Sequence, residues 1–391
     1  MHKVLVLDAN QRSALAVIRS LGRRGLKIVA ADHRSHSLGA ASRYAITSIG
    51  YPDPATSPKA FVKEIIATVN RLGIDVVIPA TDLTTMLLAS QSDLSEIAHL
   101  ATPSADSYET LTDKARLLNL AGRLGIPAPA TRIACTTAAV VEAAHELGFP
   151  VVLKPSRSQY LKGDRILSTG VEIARSPTDL SETLQRQKWL NDIPCLVQQF
   201  VPGHGAGVFA LYGTSGPIAW FAHRRVREKP PTGGVSVLSE SVPIDPAMQS
   251  SADKLLSAAK WTGVAMVEFR VAPDDTPYLM EVNGRFWGSL QLAIDCGIDF
   301  PWLLYQLTQN LLVAAPRPYA VGRRLRWLLG DLDSLIIQLK QNPANPSHKA
   351  RALADFAHSF FDASCRQEIF RFYDPKPAML ESWQWTRTIF K

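Results

Sequence analysis

The stretch AMVEFRVAPDDTPYLMEVNGRFWG places the tightest constraint on how this chain can fold. Two short apolar runs, Ala265–Phe269 and Tyr278–Val282, flank a turn rich in Pro and Asp. The pattern predicts a hairpin whose strands are hydrophobic enough to be largely buried. Polar residues interrupt it. Glu268 lies near the end of the first run and Glu281 near the end of the second, with Asn283 two residues on. Positions two apart in a strand share a face, so Glu281 and Asn283 project together. Two carboxylates and an amide oxygen on paired strands form an all-oxygen set suited to a hard cation. Magnesium fits best, because it takes one or two carboxylates plus phosphate oxygens and water. The plainer reading, solvent-facing polar residues, leaves carboxylates unpaired inside runs that read as buried, which is costly. Arg285 follows as a fixed cation.

This E-F-(x)n-E-V-N-x-R pattern resembles the metal-binding signature of the ATP-grasp superfamily. The resemblance is to carboxylate–amine ligases and to carbamoyl-phosphate-synthase-like and biotin-carboxylase-like members. Further parts stand upstream in the family's order. Lys114 in TDKARLLNLAGRLGIPAP and Lys154 in FPVVLKPS resemble its two nucleotide-binding lysines, and LVQQFVPG at 196–203 resembles its adenine-reading hinge strand. The ordered set covers roughly residues 1–300 and carries the specificity that no single piece has.

The resemblance implies a fold of mixed α/β and α+β class. Residues 1–109 would form a Rossmann-like pre-ATP-grasp domain and 110–195 a small lid. Residues 196–315 would form a large mixed-sheet half with the metal site, and 316–391 a helical extension of unassigned role. It implies ATP and Mg²⁺ as cofactors, with Mn²⁺ as an alternative ion. Adenine would meet Gln198, Gln199, Phe200 and Val201, the phosphates Lys114 and Lys154, and Met280 would also contact the nucleotide. The metal would meet Glu268, Glu281 and Asn283. Arg285, supported by Arg225 or Arg227, would act on an acyl phosphate formed from a small carboxylate substrate and then captured by an amine. A carboxylase or carbamoyl-phosphate-type enzyme, or an ATP-binding regulatory module without turnover, stays open as an alternative. The sequence has no biotin-carrier lysine motif and no second grasp copy, which favours amide ligation.

Composition fits a multi-domain enzyme. At 391 residues and 46% apolar, the chain can bury two or three cores. No run reaches the ~18–20 apolar residues of a membrane span, and Asp8 cuts the first apolar run short, so MHKVLVLDAN reads as a strand. Cys135, Cys195, Cys296 and Cys365 are widely spaced without a CxxC, which predicts reduced, mostly buried thiols and a cytoplasmic location. The net charge is +7, and residues 316–391 hold 12 Lys/Arg against 7 Asp/Glu. The densest basic cluster, GRRLRW at 322–327, is too short and too poor in interleaved aromatics for a nucleic-acid groove. It reads as a solvated face. A homodimer is left open.

Along the chain, KVLVL, SALAVIRSLGRRG and KIVAA form a βαβ opening that predicts a parallel sheet. The turn Asp8–Ser13 has no glycine, so a dinucleotide reading with Asp32 as ribose carboxylate is rejected. Asn10, Arg12 and Asp82 are candidate substrate contacts at these strand ends. In the lid, a helix is expected from Thr110–Asp113 to Leu124, another over 136–147, and a loop SRSQYLKGDR with Ser156, Ser158, Lys162 and Arg165 as phosphate candidates. In the basic strand AHRRVREK, alternation puts His223, Arg225 and Arg227 on one face. The Gly-Gly loop PPTGGVSV follows. Glu240 and His223 are the candidate general bases. In the C-terminal part only GDLDSLIIQLK reads clearly, as an amphipathic helix.

Overall fold

The computed structural model describes residues 2–389 except 232, 312, 315 and 342–345. The opening alternation forms a parallel sheet of β1 (Lys3–Val6), β2 (Lys27–Asp32), β3 (Ala45–Gly50), β4 (Val76–Ile78) and β5 (His99–Leu100), in the order β3-β2-β1-β4-β5. The helix Arg12–Gly22 is buried continuously from Ser13 to Leu21. Its Val17, Ile18 and Leu21 share one core with Phe209, Phe221, Trp287 and Leu290 from the large half. The strand-end turns are held by side chains. Asp8, at φ 54°, accepts from Ala80 N (3.0 Å) and Thr84 Oγ1 (2.6 Å), and Asp32 accepts from the backbone N–H of Asn10 and Arg34. Asp32 therefore closes a turn.

The helix expected from N-cap chemistry at 110–113 through Leu124 forms as Lys114–Arg123, and a separate helix, Ala105–Thr112, precedes it. Asp113 breaks them because its carboxylate caps the second, accepting from Ala115 N and Arg116 N. Leu117, Leu120 and Ala121 of that second helix pack into the core of the large half. The lid proper is an antiparallel sheet of β6 (Thr131–Ala134), β7 (Val151–Pro155), β10 (Glu172–Ala174) and β11 (Cys195–Gln199), ordered β10-β7-β11-β6. An expected boundary between 195 and 196 therefore falls inside a strand of the lid. The SRSQYLKGDR segment is no open loop: β8 (Gln159–Lys162) and β9 (Arg165–Ser168) pair as a hairpin. Gly163 turns it at φ 63°, a conformation open to glycine at little cost.

The large half is one seven-stranded sheet. β12 (His204–Gly213), β13 (Gly216–Lys229), β14 (Val235–Ser241), β15 (Gly263–Val271) and β16 (Pro277–Asn283) are joined by β17 (Arg324–Arg326) and β18 (Cys365–Gln367). Their order is β16-β15-β12-β13-β14-β17-β18, antiparallel except for the parallel β17–β18 pair. The C-terminal region is thus more than a helical extension. It carries the helices Leu328–Gln341, Pro346–His358 and Lys376–Ile389, and it completes the sheet.

Its basic cluster serves the fold. Arg326 is fully buried, paired with Asp331 at 2.7 Å and stacked on Phe356 and Phe360. Arg324 pairs with Glu240 and Asp362. Of the cysteines, Cys195 and Cys296 are buried, Cys365 is half-buried and Cys135 is exposed; all are free. Among the described residues no helix is long and apolar enough to cross a membrane.

Candidate active site

The hairpin β15–β16 sets Glu268 directly opposite Glu281, and Met266 opposite Asn283. Asn283 Nδ2 lies 3.1 Å from Glu268 Oε1 and 3.3 Å from Glu281 Oε1, so its amide NH₂ stands between two acids. Burial, and then the neighbouring Glu281, push the Glu268 carboxyl above its usual range; Arg225 pulls the other way. Arg225 Nη2 reaches Glu268 Oε2 at 2.8 Å. Among the described residues no group of three His, Cys, Asp or Glu side chains is placed to hold a metal. The donor set is two carboxylates with one amide. Two crowded acids with an amide between them fit a hard divalent cation that also takes oxygens from a ligand.

Lys114 and Lys154 approach these acids from the lid side. Lys114 Nζ is 3.0 Å from Ser158 Oγ and 3.9 Å from Glu281 Oε2. Lys154 is only 8% exposed, and burial lowers its ammonium to about 8, with Glu281 opposing that shift. The β7–β11 register pairs Lys154 with Leu196 and Val152 with Gln198, so Lys154 and Gln198 share a face. Gln198 donates to Thr131 Oγ1 at 3.0 Å, while its buried Oε1 has no partner. An orphaned amide carbonyl on the lysine face suits an exocyclic amino group of a bound base. Gln199 is one position on and therefore projects from the opposite face, exposed, which removes it from the adenine-facing set. Phe200 N bonds Pro150 O and the Val201 carbonyl takes Arg270 Nε. Met280 is the extra residue of a bulge opposite Glu268/Phe269, half-buried beside Glu281.

The arginines divide. Arg285 pairs with Asp82 at 3.1 Å and bonds no nearer acid; Asp82 offsets the burial that opposes its charge. Arg225 stays at the acidic hairpin. Arg227 does not. The β13–β14 register slips between Arg225 and Arg227, and this bulge at Val226 turns Arg227 away, into a two-toothed pair with Asp331 at 2.7 Å. Simple alternation had placed it with Arg225, and the bulge is the physical reason it fails.

Beside the acids lies a cavity of about 440 Å³ whose walls include Arg12, Asp82, His223, Arg225, Arg285 and Ser289. Gly234 of the Gly-Gly loop also lines it; a Cβ there would lie 2.3 Å from the Lys229 carbonyl oxygen, so only glycine fits. Residue 232 of that loop lies outside the described residues. Asn10 holds the loop at Leu38 and does not line the cavity. Neither candidate base survives. Glu240 is spent on Arg224 and Arg324, and His223, bonded to Ser289 Oγ at 2.8 Å, is pushed down to about 3 by burial and then by Arg225. A neutral histidine that binds protons so weakly is a poor general base.

Of the phosphate candidates, Ser158 meets Lys114, whereas Lys162 pairs with Asp192. Sequence reasoning missed Arg157, whose Nε reaches the capping Asp113 at 3.1 Å and whose side chain lines a smaller cavity of about 130 Å³ with Lys114, Ser158 and Glu281.

A family model described as ATP-grasp in the biosynthetic pathway with Ter operon matches residues 193–329, which span the acidic hairpin. The structure superposes on Campylobacter jejuni biotin carboxylase in its β,γ-ATP complex with TM-score 0.67 at 16% identity, covering 83% of this chain and 74% of that one. The chain carries an ATP-grasp fold. Two curated ATP-grasp relatives are more similar in sequence. N5-carboxyaminoimidazole ribonucleotide synthase of Synechococcus elongatus is 27% identical over 211 residues, covering 53% of this chain and 51% of the relative. D-alanine–D-alanine ligase of Gloeobacter violaceus is 29% identical over 211 residues, covering 48% of this chain and 65% of the relative. The chain therefore spans about half to just under two thirds of these relatives.

Proposed function

We propose that this chain is an ATP- and magnesium-dependent ligase that joins a small carboxylate to an amine, releasing ADP and phosphate. The observation that carries the reading is the crowded Glu268–Glu281–Asn283 set facing two buried lysines across the lid cleft. Glu268, Glu281 and Asn283 would hold the divalent ion, Mg²⁺ or Mn²⁺, which supplies charge neutralisation for the phosphates. Lys114 and Lys154 bind phosphate oxygens by charge-assisted contacts. Gln198 Oε1 accepts from the adenine amino group, with Met280 and the backbone of Phe200 and Val201 around the ring. The substrate carboxylate attacks the γ-phosphorus and ADP leaves. The amine then attacks the acyl carbon of the acyl phosphate, and inorganic phosphate leaves. Arg285 and Arg225 line the cavity where that charge develops, so their role is electrostatic. Arg227 is outside this machinery.

The test is ADP and phosphate release when the chain is mixed with MgATP and panels of amino acids and small carboxylates. A pair-dependent rise supports ligation. ATP binding with no pair-dependent ADP anywhere on the panel supports a non-catalytic ATP-binding module. Lys154→Met should weaken nucleotide affinity by roughly tenfold or more, the size of one charge-assisted bond. Unchanged affinity by calorimetry would show Lys154 to be only a strand end.

A further inference from the structure

The C-terminal segment reaches the substrate cavity through one residue of the N-terminal domain. Arg12 begins the helix after β1 and lines the cavity. Its guanidinium carbon lies over the Trp327 ring, 4.1 Å from the centroid, and Nη1 is ion-paired with Glu368. Trp327 follows β17 directly, and its indole N–H donates to Glu381 at 2.6 Å; Glu368 follows β18 and is 3% exposed. Both anchors therefore belong to the segment whose role the sequence left open. On the other side the guanidinium passes Gly288, where a Cβ would stand 2.9 Å from Nη2. One edge of the fork is occupied by Glu368. Among the described residues, Nε and Nη2 have no hydrogen-bonding partner.

The charges of the cavity differ in kind. Arg225 and Arg285 answer acids of the same cavity, Glu268 and Asp82. Arg12 answers Glu368, which is not part of the cavity wall. Its free donors are thus the positive edge that no cavity acid neutralises. A guanidinium edge held by stacking and by a buried carboxylate is pre-organised to grip an oxyanion.

We propose that the C-terminal segment sets substrate choice: Trp327 and Glu368 hold Arg12 as the residue that binds a second oxyanion on the substrate. This rests on the ligase reading above. The substrate class is then a small molecule with two anionic groups, one reacting near Arg225 and Arg285 and one on Arg12. The second group is a carboxylate or a phosphate ester, which offer the same paired oxygens. Trp327 and Glu368 are positioning residues, since they act through Arg12.

Calorimetry on the full chain with MgADP present would compare acetate, succinate and inorganic phosphate. Succinate or phosphate should bind at least tenfold tighter than acetate. Arg12→Met should abolish that preference and leave ADP and acetate affinities unchanged. Arg12→Lys, which keeps a cation for Glu368, covers the case in which Arg12→Met fails to fold, and should lose most of the preference. Trp327→Leu should weaken it similarly and Trp327→Phe restore it, as a positioning role requires. Tighter succinate assigns a carboxylate, and tighter phosphate assigns a phosphate ester. Equal affinities for all three anions, or a preference indifferent to both Arg12 variants, overturns the proposal. Failure of ADP to bind the wild type would instead remove the ligase reading beneath it.

Discussion

The two edges of the seven-stranded sheet use charge in opposite ways. At the β16 edge, Glu268 and Glu281 oppose one another, with Asn283 between them, Arg225 on Glu268 and Lys114 near Glu281. At the β18 edge, Arg326, 0% exposed, and Arg227 converge on Asp331, 1% exposed, so each of these guanidiniums has a carboxylate partner among the described residues. The first edge sets two acids face to face, an arrangement that a bound cation would relieve. The second is saturated. Buried charge by itself is therefore no sign of a site; buried like charges set against one another are.

The sharpest way to break this contrast is to unbalance the saturated edge. Asp331→Ala leaves Arg326 buried without its counter-ion, and removing one partner of a buried pair costs about 3–5 kcal/mol. Thermal melting should fall by many degrees, with nucleotide affinity of the folded fraction preserved. A parent-like melt would mean the β18 edge is not held by these charges. The converse change is Glu281→Gln, which relieves acid crowding without altering shape. Turnover should drop by roughly two orders of magnitude or more, about 2.7 kcal/mol, while the melting temperature stays level or rises. Wild-type turnover in this variant would sink the metal assignment.

A smaller effect is expected between the edges, at Arg285. Since its carboxylate partner is Asp82 and it meets the metal set only through a long 3.4 Å contact to Asn283 Oδ1, Arg285→Lys should largely spare ADP–Mg²⁺ affinity. It should lower kcat and kcat/KM together by about tenfold, because an ammonium lacks the guanidinium's two parallel donors. A parallel loss of nucleotide affinity and rate would place Arg285 within the metal site.

How much was legible follows distance along the chain. Glu268, Glu281 and Asn283 sit within one hairpin, so period-two alternation is enough to bring them together. Lys154 and Gln198 need only the β7–β11 pairing. Arg227 was misread because alternation cannot foresee a bulge at Val226. β17 and β18 were invisible, being three residues each with partners such as Glu240 far away in sequence. The lid hairpin is different. Its Gly163–Asp164 turn between YLK and RIL is a recognised two-residue hairpin signal, and it was there to be read.

The faintest expected effect is a pH dependence at the saturated edge. Burial raises the Glu381 carboxyl to about 7, with Trp327 opposing the shift. A carboxyl raised in the folded state favours folding while protonated, so its contribution is complete below the unfolded value near 4.5. It fades as pH climbs from there through about 7. Glu381→Gln should flatten that slope and raise the melting temperature at pH 8 by a few degrees. An unchanged slope between pH 4.5 and 8 would show that Glu381 ionises freely.

One contact carries a consequence for synthesis. Arg19, 2% exposed, gives its Nε to Asp374 at 2.9 Å and its Nη2 to the carbonyls of Ile369 and Asp374. The two partners are 355 positions apart. At ribosomal speeds of about 5–20 residues per second, roughly 20–70 s separate their emergence. Throughout that interval the first βαβ unit has its hydrophobic strands and helix but no counter-ion for the arginine at its centre. The first domain thus waits for a residue translated 355 positions later. Nascent chains of this protein should stay sensitive to proteases until Asp374 has emerged.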